Sequence, residues 1–308
     1  MADRLLAARG GRGERGLRIA CLGSGSRGNS IVVEAGDTAV LVDAGFSGTQ
    51  LARRLEVLDY TPDRITAVVV THEHRDHTGG IGIASRRWGW PLHLTEGTAS
   101  ACSSLLRGSE HLVIHRRDAQ FVVGNLAIRL VPTCHDASDP VAVHLEEPRT
   151  GLTAGVATDI GRPTAPIREA FRQCHFLVLE SNHDEVGLRE APYPWSLKQR
   201  IGGSRGHLSN RLAGELAAEL AHPDLGGVLL AHLSEACNES VIALSEVKRA
   251  LRGVKFRGRV SVAQQDEPSQ WFDVGRLAAA ARDDGPQIHL FEALVHQSHD
   301  VVGESHYH

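Results

Sequence analysis

Thr71-His72-Glu73-His74-Arg75-Asp76-His77-Thr78-Gly79-Gly80 is the run that decides how this chain is read. Just before it stands Ile65-Thr66-Ala67-Val68-Val69-Val70, an apolar, β-branched stretch that predicts a buried strand. Three imidazoles and a carboxylate therefore leave the C-terminal end of a strand on a loop. Alternation along that loop aims His72 and His74 at one point, and Asp76 and His77 at a second point close by. Imidazole and carboxylate together suit a borderline divalent cation: zinc, manganese or iron. A merely solvated loop would not need this spacing of donors.

Working outward, other predicted strands also end in residues that can bind a metal. Ala39–Val42 is closed by Asp43. Leu126–Val131 leads through Pro132-Thr133-Cys134 to His135, Leu152–Thr158 to Asp159, and Gly227–Leu230 through Ala231 to His232. Helices are predicted between the strands, among them Gln50–Leu58, Thr78–Arg87, Thr98–Leu106, Pro163–Arg172, Ser209–Leu220 and Asn238–Leu251. That interleaving makes the class α/β, and in such folds the C-terminal ends of strands converge on one cleft. His72, His74, His135 and one oxygen of Asp159 would fill one site. Asp76, His77, His232 and the other oxygen of Asp159 would fill a second, so Asp159 bridges. Water between two such cations ionises near neutral pH, which points to a hydrolase.

Composition narrows the partners. The chain has 308 residues, 42% hydrophobic and 23% charged, with a net charge of −4, as in an ordinary globular protein. A global basic excess is absent, so any contact with nucleic acid must come from a local patch. No uninterrupted apolar run approaches the ~18 residues of a membrane span. The five cysteines are far apart and form no C-x-x-C pair, which fits free thiols in a reducing cytoplasm. Residues 1–16 read as an Arg/Gly-rich disordered arm rather than a leader. After Asp273 the sequence carries no pattern, and His296, His299, His306 and His308 read as a solvated tail.

The series His72-x-His74-x-Asp76-His77, His135, Asp159 and His232 resembles the metallo-β-lactamase fold superfamily. The resemblance implies a four-layer αββα sandwich over residues 17–273, with 274–308 an extension of unknown role. It implies that Asp43 hydrogen-bonds a ligand rather than the metal. Further motifs are similar to the YycJ/WalJ branch: Gly23-Ser24-Gly25-Ser26-Arg27-Gly28-Asn29-Ser30, Glu180-Ser181-Asn182-His183-Asp184, Pro192-Tyr193-Pro194-Trp195 and Gly206-His207-Leu208-Ser209-Asn210. This match spans about 17–265 and implies a binuclear enzyme acting as a 5′-to-3′ exonuclease on DNA. Turnover is then expected to depend on Asp76, Asp43 and His207, the last beside a bound phosphate where it can protonate a leaving oxygen. The Gly/Ser loop can present backbone N–H groups to a 5′-phosphate. Ser24, Asn29, Asn182, His183, Lys198, Arg205 and Ser209 are the expected substrate contacts, and Ser209 can also cap the following helix. The stretch between Asp159 and His232 is too short for the large extra domain of related RNA-processing nucleases. Two alternatives remain: a small-molecule hydrolase on the same fold, such as a thioesterase or cyclic-phosphate diesterase, and a non-catalytic metal-binding scaffold.

Overall fold

The computed structural model describes residues 16–283. The expected arm, Gly16 apart, and the His-bearing tail lie outside the described residues.

Among the described residues fourteen strands form two sheets. The first holds β1 (Arg18–Gly23), β2 (Ser30–Ala35), β3 (Thr38–Val42), β4 (Ala67–Val69), β5 (Leu92–Thr95) and β6 (Leu112–His115). The second holds β7 (Gln120–Val123), β8 (Leu126–Pro132), β9 (Val141–Glu147), β10 (Leu152–Ala157), β11 (Phe176–Glu180), β12 (Gly227–Ala231) and β13 (Arg259–Val262). A short β14 (Phe272–Asp273) returns to the first sheet beside β1. Each sheet is antiparallel on one side and parallel on the other: β1-β2-β3 then β3-β4-β5-β6, and β7-β8-β9-β10 then β10-β11-β12-β13. By these pairings β8, β10, β11 and β12 all run the same way, as β3 and β4 do.

The central strands read as unbroken apolar runs because both of their faces are covered. Ile31, Val33, Val40, Val42 and Val69 face Val143, Val178 and Leu229 of the other sheet in one central core. Their neighbours Val32, Leu41 and Val68 turn outward onto Leu51, Leu55 and Ile81 of the helices Gly48–Val57 and Ile81–Trp88. On the far side Leu177, Leu179 and Leu230 pack on Phe171, Leu216 and Val247, from helices Ala165–Phe171, Asn210–Glu219 and Ser240–Leu251. The layers are helix, sheet, sheet, helix, as the resemblance implied.

Some elements differ from expectation. The helix expected over 98–106 starts at Glu96, where the Thr95 side chain accepts from Thr98 N, and gives way to a 3₁₀ turn at Ser103–Leu105. β6, β14 and the helices Glu185–Glu190 and Trp195–Ile201 had no counterpart in the sequence reading. The boundary expected at 273 falls at the N-cap of a further helix, Val274–Arg282. This helix buries Val274, Ala278 and Ala281, and Val274 N donates to Leu17 O at 3.0 Å. Its backbone passes so close to Gly226 that a Cβ there would stand 2.4 Å from Ala278 N. It belongs to the packed domain rather than to an extension.

A chain ended after Asp273 should therefore melt below one ended after Asp283. Loss of the buried Val274 alone costs about 1.5–3 kcal/mol, which at this size is a fall on the order of 3–6 °C. Thermal unfolding followed by circular dichroism checks it; equal midpoints would show that the helix adds nothing.

Candidate metal centre

Strand ends deliver the site residues, and the backbone turns sharply to do so. Among the described residues four non-glycine positions have positive φ: Asp43 at 64°, Asp159 at 55°, His232 at 55° and Asp59 at 54°. The first three follow β3, β10 and β12 closely. Left-handed backbone is costly for residues with a Cβ, though Asp and His accept it more readily than most, and such strain gathers at functional sites. The Thr71–Gly80 loop is fastened to its neighbours through its backbone: Asn29 N donates to Asp76 O (2.7 Å), Ala44 N to His77 O (2.9 Å) and Gly80 N to Ala44 O (2.8 Å). Gly45 allows this closeness, since a Cβ there would fall 1.7 Å from Asp76 O.

The structure gathers all seven expected metal ligands. The outer ring nitrogens of His72, His77, His135 and His232 have partners. His77 Nδ1 donates to Asp43 Oδ2 at 2.7 Å, and Asp43 also accepts from Thr71 N and Oγ1, both at 2.8 Å. His135 Nδ1 donates to Gly206 O at 2.9 Å. His72 Nδ1 stands 3.0 Å from Thr71 Oγ1, and His232 Nδ1 3.3 Å from Glu180 Oε1. Such outer partners fix ring orientation and tautomer, leaving the other nitrogen for a cation.

The inner atoms face one another. His135 Nε2 is 3.2 Å from His74 Nδ1, and the buried His72 Nε2 has no hydrogen-bond partner. His232 Nε2 lies 3.1 Å from Asp76 Oδ2, and His77 Nε2 lies 3.4 Å from the same oxygen. Asp159 stands between the groups. Its Oδ1 is 3.7 Å from both His135 Nε2 and His232 Nε2, and its Oδ2 is 2.9 Å from His77 Nε2 without making a hydrogen bond. His72, His74 and His135 form one possible donor set, and Asp76, His77 and His232 another, each with ligand atoms within 4.8 Å of one another. Ring nitrogens facing each other and an orphaned buried nitrogen are unfavourable by themselves and are satisfied by a cation. The residues therefore fit a pair of ions.

Electrostatics agree. Burial would raise the Asp159 carboxyl, but His232 and His77 outweigh it and hold it well below the usual carboxylate range. Asp76 is likewise lowered against its burial by His77 and His232. Glu180, buried at the end of β11, is held at about 2, the His207 charge outweighing burial. The imidazoles mirror this. Burial is overcome at His232, lifted to about 10 by Asp159, Asp76 and Glu180, and at His77, lifted by Asp159, Asp43 and Asp76. His72 and His135 are lowered, chiefly by burial. The carboxylates thus stay charged, and without an ion they draw protons onto His77 and His232.

The cleft over this cluster holds about 310 Å³. Asp76, Asp159, His74, His207 and His232 line it on one side, and Ser26, Asp136, Tyr193 and Arg200 contribute elsewhere. His207 Nδ1 donates to Glu180 Oε1 at 2.8 Å. Glu180 was given no role from the sequence, although it closes the strand between those that lead to Asp159 and His232. Its Oε2 also accepts from Ile160 N (2.8 Å) and Leu208 N (3.0 Å), tying three strand-end segments together.

Most expected substrate contacts need correction. The Gly23–Ser30 loop spends most of its N–H groups on other protein atoms: Ser24 N on Gln264 O, Gly25 N on Asn29 Oδ1, Arg27 N on Gln265 Oε1, Gly28 N on Gly25 O and Asn29 N on Asp76 O. Ser24 is buried and its Oγ accepts from His232 N (2.8 Å). Buried Asn29 stands behind Asp76 and His77, its Nδ2 3.2 Å from Asp76 Oδ2. Asn182 is buried with Nδ2 donating to His232 O (2.9 Å). Ser209 is the buried N-cap of Asn210–Glu219, as foreseen, and its Oγ also donates to Glu185. His183 is buried beneath that turn, its O accepting from Asn210 N. Lys198 reaches back to Arg189 O, and exposed Arg205 leans on His135 O at 3.4 Å. Ser24, Asn29, Asn182 and Arg205 thus contact donor residues from behind, and the cation that does line the cleft is Arg200.

Two packed sheets between helices, with imidazoles and carboxylates gathered at the strand ends, define a metallohydrolase. A profile of the Metallo-beta-lactamase superfamily matches residues 23–154, and the chain belongs to that superfamily. Exodeoxyribonuclease YycJ of Bacillus anthracis is 30% identical over 246 residues, covering 78% of this chain and 91% of its own. Exodeoxyribonuclease WalJ of Streptococcus pneumoniae is 30% identical over 236 residues, covering 75% and 86%. Among solved structures, the metallo-beta-lactamase fold protein YhfI of Bacillus subtilis shares the fold, with a TM-score of 0.63 at 18% identity over 82% of this chain and 98% of that one.

Chelator-stripped protein titrated with Zn²⁺ should bind two ions per chain and release about two protons at pH 7, because His77 and His232 must shed theirs to coordinate. Affinity should weaken as the pH falls and protons compete. Asp159→Ala should lower the stoichiometry. Calorimetry with an indicator dye reads both quantities; two ions bound with no proton release would contradict the charge balance described above.

Proposed function

We propose that this chain is a binuclear metal-dependent phosphodiesterase that removes nucleotides from the 5′ end of DNA. The observation that carries the reading is the cleft, where two donor sets, a proton donor and a cation meet in a space of about 310 Å³. The relatives named exodeoxyribonuclease, matched over most of their length, favour DNA. His72, His74 and His135 would hold one ion and Asp76, His77 and His232 the other, with Asp159 between them; zinc and manganese both suit these donors. When bound, such ions supply Lewis acidity and a nucleophile drawn from water at neutral pH.

The chain's own groups supply the rest. Glu180 outweighs burial and raises the His207 imidazole above its usual value. With Nδ1 held by Glu180, protonated His207 serves as the general acid for the leaving oxygen. Arg200 pairs with Asp136 through its Nε. That carboxylate is a stand-in which a substrate phosphate would replace, and bidentate Arg–phosphate bonding is strong. Anchoring a terminal phosphate there selects chain ends over internal sites.

Pure protein with Mn²⁺ or Zn²⁺ should degrade a 5′-phosphorylated DNA oligonucleotide stepwise, act more slowly on its 5′-hydroxyl counterpart, and spare a covalently closed circle. Arg200→Ala should narrow the gap between the two linear substrates by about ten- to a hundred-fold, the worth of roughly 1.5–3 kcal/mol of charge-assisted hydrogen bonding. Efficient cutting of the circle would make the protein an endonuclease. Inertness toward all three, with turnover of a cyclic phosphate or thioester, would move the reading to a small-molecule hydrolase.

His207→Ala should slow oligonucleotide cleavage by about 10²–10⁴-fold, yet barely affect a p-nitrophenyl phosphodiester, whose leaving group needs no proton. On the natural substrate the His207-dependent rate should be full at low pH and decline as pH rises through the raised imidazole value. Equal losses on both substrates would remove the general-acid role.

A further inference from the structure

One wall of the cleft has no part in holding metal. Tyr193, Leu197, Arg200 and Ile201 all line it. In the helix Trp195–Ile201, positions 197, 200 and 201 share a face by their i, i+3, i+4 spacing, while Trp195 falls on the opposite side. Tyr193 and Ile201 are backed by a small apolar cluster of Leu188, Ala191 and Cys237, separate from the three main cores. The wall is tied to the donors. His207 N donates to Ile201 O at 2.8 Å, and Gly206 O accepts from His135 Nδ1. A Cβ at Gly206 would stand 2.0 Å from Arg200 O, so the chain folds hard against the helix end. The wall, His135 and His207 are therefore held as one unit before any substrate arrives.

Cleaving a phosphodiester does not itself call for an apolar wall. The sugar and phosphate are polar, and only the base offers a flat apolar face. The cleft volume lies at the lower end for ligand pockets, near the size of one nucleotide. We propose that Tyr193, Leu197 and Ile201 form a subsite for the base of the terminal nucleotide. The Tyr193 ring stacks on the base while Arg200 exchanges Asp136 for the phosphate. Stacking is tolerant of base identity, because every base has a π-face. The subsite makes the enzyme grip the end of the strand through its base, with little sequence preference. The inference rests on the phosphodiesterase reading and deepens it.

The test measures cleavage under single-turnover conditions on matched 5′-phosphorylated single strands, one normal and one abasic at the first nucleotide. Wild type, Tyr193→Phe and Tyr193→Ala are compared. Tyr193→Ala should lose about tenfold or more in kcat/KM on the normal strand, mostly through KM, and Tyr193→Phe should retain most of the rate. The abasic end should slow wild type by a similar factor and slow Tyr193→Ala no further. Independent, multiplying losses would reduce Tyr193 to a packing role and overturn the subsite. So would a wild-type enzyme indifferent to the missing base, a result that stands even if Tyr193→Ala fails to fold. Wild type inert on both strands would instead overturn the phosphodiesterase reading and the subsite with it.

Discussion

The balance of buried charge around Asp159 is the constraint on which the rest depends. Asp159, Asp43 and Glu180 are all nearly inaccessible to water, with Asp76 close by. Burying a carboxylate is costly unless opposite charge and hydrogen bonds repay the lost hydration. Here they do so through imidazoles whose second nitrogens are held in turn by Asp43, Glu180 and the Gly206 carbonyl. The cluster is thus negative at its centre, with either protons or divalent ions supplying the compensation. A site that draws protons when ion-free is one that binds cations well at neutral pH, and the same charges provide both behaviours.

That balance could not be reached from one strand or one sheet. Asp43 and the Thr71–Gly80 loop come from the first sheet, and His135, Asp159, Glu180 and His232 from the second. Packing the two sheets face to face through the Ile31–Val178–Leu229 core is what brings the two sets of strand ends together. The left-handed turns at Asp43, Asp159 and His232 then redirect each chain as its strand ends. Strain of this kind persists only where surrounding structure over-determines it. The backbone bonds among Asn29, Ala44, Asp76 and His77, and the clearance at Gly45, are that over-determination.

The donors were legible because their signals are local: a β-branched run followed by His and Asp at fixed short spacing, or a strand followed by one polar residue. The α/β class was legible for the same reason, from apolar runs alternating with amphipathic helices, while the four layers followed only from the family resemblance. The Gly23–Ser30 loop misled because its composition allows anion binding, while its actual partners, Gln264, Gln265 and Asp76, are remote in sequence and satisfy its N–H groups first. Lys198 and Arg205 carry charge close to His207 in sequence, but the sequence pattern does not reveal the helix over 195–201. Without it nothing showed that 200, rather than 198, shares a face with 197 and 201. The helix at 274–282 was missed because its buried face is Val274, Ala278 and Ala281, too small a hydrophobic signal to stand out.

These contrasts separate two kinds of information in the molecule. The donors and the residues behind them answer to charge balance, which admits few solutions and therefore leaves a strong pattern in the chain. They define what can be bound and what class of bond can be broken, and one fold can serve many substrates on that basis. Choice among substrates must come from surfaces that the charge balance leaves free. In this chain the free surface is the Tyr193–Ile201 wall, which brings no ligand to the cluster yet is bonded to His135 and His207 through the Gly206 turn. A shift of that helix would move His207 and Arg200 together, since His207 N is bonded to Ile201 O. On the proposed phosphodiesterase reading, seating an end and protonating its leaving group would then be mechanically coupled, and a poorly seated substrate would meet a misaligned imidazole.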